Sequence, residues 1–172
     1  MIHLIRDPRA TLRSQSAVGE FKWKTDLDNA SKVFCRRVLD DIEESDRLRT
    51  LYPSRSLTIR YEDLATKPLH FAEKLLAFAG LAMDDVLRKY VWNITSAGLP
   101  DNCVICTTRN DSRRTAAKWR SKVDLQSSML IDINCAHINR RVGYLPFVEK
   151  QALENWSVPS FVDTSKVPGL WG

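Results

Sequence analysis

Arg6 and Ser14 are the first residues in this chain whose types and spacing can do chemistry. A guanidinium offers a fork of donors suited to an anion, and a hydroxyl adds another. Between them stands Asp7-Pro8, and proline is tolerated in the first turn of a helix. Ile2-His3-Leu4-Ile5 therefore reads as a strand, Arg6-Asp7 as a turn and Pro8 onward as a helix. Open α/β sheets bind ligands at that point, between the carboxyl end of a strand and the amino end of the next helix. Arg6 at the turn and Ser14, two turns into the helix, can both reach an anion held there. The plain alternative is an ordinary βα unit with Arg6 paired to Asp7 or to another carboxylate, and spacing leaves both readings open.

A second cluster lies late in the chain, in Thr107-Thr108-Arg109-Asn110-Asp111-Ser112-Arg113-Arg114. From Arg109 to Lys122 there are six basic residues against the single acid Asp111. If this loop, the Tyr61 end of a second strand and the Arg6 turn converge, the pocket offers guanidiniums and hydroxyls for a terminal phosphate and a ring for a base. An adenine nucleotide carrying a ribose phosphate fits that set. The alternative is a basic, solvated stretch, with Trp119 anchoring it to the core.

The elements that must position these groups follow from periodicity and punctuation. Val18 to Asn29 reads as a loop. Phe34, Val38 and Ile42, then Leu48 and Leu51, with Cys35 and Leu39 beside them, mark a helix from Ala30 to about Leu51, capped by Asn29 or Ser31 and stopped before Pro53. Ser56 to Tyr61 alternates as a second strand ending at Glu62-Asp63. Thr66, Pro68 and Gly80 frame a helix burying Leu69, Ala72, Leu75, Leu76 and Ala79, and Met83 to Trp92 reads as a short core helix. Asn93 to Thr108 reads as a long loop, a length that in compact domains often carries function. Leu125 to about Val142 forms a last helix with Met129, Ile133 and Ile138 inward. Tyr144 to Gly172, with Pro146, Pro159 and Pro168, reads as a tail draped on the surface. Glu62 reads as support for a strand end and His3 as a satisfied core histidine, so no residue emerges as catalytic base.

With 172 residues, 44% hydrophobic and 27% charged, the chain is one globular domain's worth and neither disordered nor fibrous. Its net charge of +5 suits an anionic ligand as well as nucleic acid. No nucleic-acid reader motif, repeat or targeting segment occurs, and no apolar run approaches the ~18 residues of a membrane span. Opening directly on a strand implies a missing upstream part. Cys103 and Cys106 have C-x-x-C spacing without a second ligand pair, which argues against zinc. Four Asn-x-Ser/Thr sequons, at Asn29, Asn93, Asn110 and Asn155, permit a secretory location.

Ile2 to Ala10 with Ser14 resembles the 3′-phosphate-binding motif of the Golgi carbohydrate sulfotransferases, the group of chondroitin 6-O-, keratan sulfate and N-acetylglucosamine 6-O-sulfotransferases. Arg60-Tyr61-Glu62-Asp63-Leu64-Ala65 with Pro68 is similar to the family's central strand and following helix. Thr107 to Ser112 through Lys118-Trp119-Arg120 resembles its late cofactor loop, and Cys135 through Gly143-Tyr144 its last helix.

The resemblance implies an α/β, P-loop-NTPase-like sulfotransferase fold, with few parallel strands flanked by helices and without the N-terminal phosphosulfate-loop unit. Residues 1–145 are then the C-terminal part of that domain and 146–172 a tail. It further implies transfer of a sulfuryl group from 3′-phosphoadenosine 5′-phosphosulfate (PAPS) to a glycan hydroxyl in the Golgi, without a metal and without activity of this chain alone. Arg6 and Ser14 are implied to bind the 3′-phosphate, Arg109 and Ser112 to close over it, Tyr61 to lie near the adenine and Thr95 on the cofactor side. Asp111 is one residue more than the family pattern, and an acid there repels phosphate unless turned away. Asn110 beside the cofactor is expected to be unglycosylated, with Asn29 and Asn155 the better candidates. In an oxidising lumen Cys35 and Cys135 can pair with each other or elsewhere, and Cys103 with Cys106. A non-catalytic nucleotide-binding or interaction domain derived from such an enzyme is the alternative.

Overall fold

Strand β1 (Ile2–Ile5) pairs in parallel with β2 (Leu57–Arg60), in the register Ile2 with Leu57 through Ile5 with Arg60. Parallel strands need a long crossover, and two helices supply it: α1 (Pro8–Ala17) and α2 (Trp23–Leu51). The computed structural model describes residues 1–100 and 107–171. It divides into one unit of Met1–Arg60 with Lys118–Gly172 and another of Tyr61–Ala117. The α/β class and the parallel pairing match the sequence reading.

Helix α1 begins as expected: Pro8 is at its first position, and the Asp7 carboxylate caps it by accepting from the Arg9 amide at 2.9 Å. Helix α2 departs from expectation, because the stretch read as a loop from Val18 to Asn29 is helical from Trp23 onward. The turn is confined to residues 18–22, where Gly19 takes a positive φ of 90°. The start is stabilised from inside: the Asp26 carboxylate reaches back to accept from the Lys22 amide at 3.0 Å. Asn29 and Ser31 are consequently interior residues rather than caps, and Ser31 donates to the Asp28 carbonyl.

The first unit's core gathers Ile5, Leu12, Leu27, Cys35 and Ile42 with Ile131, Cys135, Ile138, Val142 and Tyr144. Cys35 and Cys135 form a disulfide within it, one of the pairings left open by the sequence. The expected last helix is two, α7 (Leu125–Asn134) and α8 (Ala136–Val142), broken at Cys135. The break reorients the faces, so Met129 and Ile133 are exposed while Ile138 is buried. Gly143 ends α8 with a φ of 82°, and a Cβ there would meet the Val162 and Val167 methyls at 2.6 and 2.7 Å. Those methyls belong to the segment expected to drape over the surface. It instead contributes Tyr144, Phe147, Leu153 and Val167 to the buried interior, includes a short helix α9 (Lys150–Glu154), and returns Trp171 to donate its amide to Thr58 of β2.

The second unit is helical. Tyr61–Thr66 is helix α3 rather than the end of the strand, and Thr66 bonds the Glu62 carbonyl instead of capping the next helix. That helix, α4 (Pro68–Phe78), starts after Lys67 and fully buries only Phe71; the apolar residues expected on its inner face are half-buried, with Ala79 exposed. Helix α5 (Asp85–Thr95) is capped by Asp84 and buries none of its residues fully, so the expected core role of Met83 to Trp92 does not hold: Val86, Tyr90 and Trp92 are exposed. The expected loop after Asn93 starts only beyond Thr95 and leads to helix α6 (Ser112–Ala117). Its two ends are joined by Arg109 N–H to Ile94 C=O at 2.7 Å and by Asn110 to Gly98 in both directions. Cys103 and Cys106, with the zinc and local-disulfide questions they raised, lie outside the described residues.

Candidate functional site

In the first unit, Arg6 leaves the carboxyl end of β1 half-buried, and Ser14 is exposed on α1. This is the expected strand-turn-helix arrangement. The Asp7 carboxylate that follows Arg6 is bonded by Arg9, whose Nε and Nη2 reach its two oxygens at 3.0 and 2.8 Å. Arg9 is fully buried. Its remaining donors go to Asp132 on α7 at 3.3 Å and to the Leu145 carbonyl at 2.9 Å, and its guanidinium lies over the Trp119 and Phe147 rings.

Electrostatics in this cluster follow from burial and counting. Burial works against the charge on Arg9, yet Asp7 and Asp132 beside it raise its pKa above the ordinary arginine value. One guanidinium serves two carboxylates, and the deficit falls on Asp132. Burial pushes Asp132 up to about 6, with Arg9, the Asn139 amide and the Phe147 N–H favouring its charged form and Asp7 opposing it. His3, weighed as a base, instead meets the Ser45 hydroxyl at 2.8 Å, and burial holds it below its ordinary value against the pull of Asp41 and Asp46. Glu62, the other candidate, is buried in the first turn of α3.

The second unit holds the other expected residues. Tyr61 opens α3 half-buried. Thr95 and Arg109 are brought together where the Arg109 amide closes on Ile94, while the Thr95 hydroxyl donates to the Val91 carbonyl at 2.6 Å. Ser112 is buried, and its hydroxyl donates to the Ala65 carbonyl at 2.7 Å, tying α6 to α3. Both hydroxyl protons are thus committed to backbone, so an anion bound there has to replace those bonds. Asp111 accepts from the Arg114 amide at 2.9 Å, which occupies the acid in capping α6.

The basic stretch divides. Arg113, Lys118 and Lys122 are exposed, as a solvated face requires, but Arg120 is buried and donates to the carbonyls of Ala152, Leu153, Asn155 and Val158 at 2.7–2.8 Å. Trp119 is the expected anchor, buried against Ala10, Val123, Phe147 and Leu153. The buried roles of Arg9 and Arg120, seen in the sequence only as members of a motif and of a basic stretch, were missed. The usable signals were an arginine two residues after a capping aspartate and another beside a buried tryptophan. Among the described residues no group of side chains is placed to hold a metal ion, and no helix is long and apolar enough to cross a membrane.

An arginine and a hydroxyl flank the turn of a strand-turn-helix unit in an α/β protein. Comparison with known proteins shows what this arrangement is similar to. The model of the Sulfotransferase family matches residues 1–85, which contain β1, α1, α2 and β2. The chain is 29% identical to carbohydrate sulfotransferase 3 of Homo sapiens over 92% of its own length and 36% of that protein's. It is 29% identical to carbohydrate sulfotransferase 5 of Homo sapiens over 85% of the chain and 40% of the relative, and 26% identical to carbohydrate sulfotransferase 1 of Danio rerio over 99% and 44%. The chain is similar to carbohydrate sulfotransferases over most of its own length, and it spans less than half the length of these relatives. No solved structure matches it.

Proposed function

We propose that this chain forms the 3′-phosphate side of a PAPS site in a Golgi carbohydrate sulfotransferase of P-loop-like fold, acting on a glycan hydroxyl. The observation that carries the reading is the position of Arg6 and Ser14: they flank the β1–α1 turn inside the region matched by the sulfotransferase model. The donor set suits the group in chemistry, because a guanidinium and an exposed hydroxyl flank the turn, and Arg9 pairs with the adjacent Asp7 carboxylate. When bound, the donor supplies a sulfuryl group and a phosphate leaving group.

In this reading Arg6 binds the 3′-phosphate through charge-assisted bonds and Ser14 adds a neutral donor. Arg109, Ser112, Tyr61 and Thr95, all in the second unit, are read as further cofactor residues. No residue of the chain is assigned as the base. The chain alone is expected to bind nucleotide without turnover.

Calorimetric titration with 3′-phosphoadenosine 5′-phosphate tests the site. Arg6→Ala should weaken binding by about 30-fold or more, the worth of charged hydrogen bonds, and Ser14→Ala by about tenfold or less. Absence of binding by the unmodified chain sinks the reading. A sulfate-transfer assay on this chain and on a longer chain containing it separates an enzyme from a binding domain that has lost the chemistry.

A further inference from the structure

We infer that Asn155 is the acceptor site for an N-linked glycan, an assignment that rests on the secretory-pathway location contained in the proposed function. An acceptor Asn-x-Ser/Thr triplet belongs on a surface loop, with its amide nitrogen and its hydroxyl both within reach of the transferring enzyme. The fold withdraws three of the four sequons. Asn29 is interior to α2, and Ser31 is 0% exposed, its hydroxyl donating to the Asp28 carbonyl at 3.0 Å and accepting from the Asn134 amide at 2.7 Å. Asn93 lies within α5, where the Thr95 hydroxyl donates to the Val91 carbonyl. Asn110 donates its own Nδ2 to the Gly98 carbonyl at 3.2 Å, and Ser112 is buried.

Asn155 differs at each point. It ends α9 in an extended conformation, with φ −83° and ψ 103°, and Asn155, Trp156 and Ser157 are all exposed. The Ser157 amide donates to Asn155 Oδ1 at 3.0 Å. A donor has to face the carbonyl oxygen of the side chain, so Nδ2 is turned away from that bond and left for solvent. The backbone beneath it is fixed: the Asn155 carbonyl accepts from Arg120 Nη2 at 2.8 Å and from the Val158 amide at 3.0 Å. In the transfer, Nδ2 bonds to the anomeric carbon of an oligosaccharide carried on a lipid diphosphate. The bond from that carbon to the diphosphate oxygen breaks, its electron pair leaves with the lipid diphosphate, and one amide proton goes to solvent.

The test routes the full chain into the secretory pathway of cultured eukaryotic cells with an added signal segment, so that the acceptor is examined whatever the native compartment. Peptide N-glycosidase converts a glycosylated asparagine to aspartate, and mass spectrometry of the peptides reads which asparagine was converted. Asn155 should be converted, and the mobility shift of the intact chain on glycan removal should be lost in Asn155→Gln and in Ser157→Ala. Ser157→Ala keeps the backbone amide that bonds Oδ1, so its loss of glycan reports the missing hydroxyl and not a disturbed turn. Asn29→Gln should leave the shift unchanged. An unconverted Asn155, or conversion at Asn155 that persists in Ser157→Ala, overturns the assignment. A chain converted at Asn155 when routed in this way but bare when recovered from its own cells upholds the acceptor and overturns the Golgi location instead.

Discussion

Asp132 is where the balance of charge within the first unit becomes measurable. Its folded pKa of about 6 lies above the ordinary 3.8, so the native state holds this proton more tightly than the unfolded chain does. The stability contributed is fully present below pH ~4 and is lost as pH rises through 6, a swing of about 3 kcal/mol for two pKa units. The charged form is not left bare, since Asn139 donates to Oδ1 at 3.0 Å and Arg9 reaches Oδ2. Asp132→Asn keeps the shape without the titration. Urea unfolding between pH 4 and 7 should show the unmodified chain losing stability relative to Asp132→Asn across that window. Parallel curves would show that Asp132 does not carry the pH dependence.

At the scale of elements, three buried guanidiniums hold the segment after α8 by its backbone. Arg9 binds the Leu145 carbonyl, Arg60 those of Val142 and Val162, and Arg120 four more around α9. Burial, then the proximity of Arg9, lowers the pKa of Arg120, yet an arginine stays charged at any working pH. Arg120→Met should therefore cost about 3 kcal/mol or more, because several carbonyls lose a charged donor at once. Limited proteolysis should cut first between 150 and 160 in that variant; an unchanged cleavage pattern would mean the segment is held by Phe147 and Leu153 alone. These clamps also show what the sequence could and could not convey. β1, α1 and β2 were legible because strand alternation, Asp7 and Pro8 are local signals, and the positions of Arg6 at the turn and Ser14 on α1 follow from them. The start of α2 was missed because its stabilising carboxylate, Asp26, sits four residues past the amide it binds. The segment after Tyr144 was misread because arginines address carbonyls, which every residue has, so no side-chain pattern records the contact. The role of Arg9 was missed for the same reason: it lies in Asp132 and Leu145, far away in sequence.

For the molecule as a whole, the first unit is discontinuous, leaving at Arg60 and resuming at Lys118. Its two portions are joined through space by Arg9 to Asp132, by Arg60 to Val142, and covalently by Cys35 to Cys135 across a sequence separation of 100. Closing a loop of that length restricts the unfolded chain more than it changes the folded one, and loop entropy puts the stabilisation at about 5 kcal/mol. Both cysteines are buried in the same core as Ile131 and Ile138, so a reductant has to wait for the unit to open. Cys135→Ser should lower the unfolding free energy by about 2–5 kcal/mol. In the unmodified chain, reductant should act slowly under native conditions and rapidly in urea. Fast reduction of the folded chain, or a Cys135→Ser variant of undiminished stability, would mean that the buried arginines join the two portions without help from the bond. A persistent disulfide also fits a chain matured in an oxidising compartment, the setting the proposed Golgi function requires.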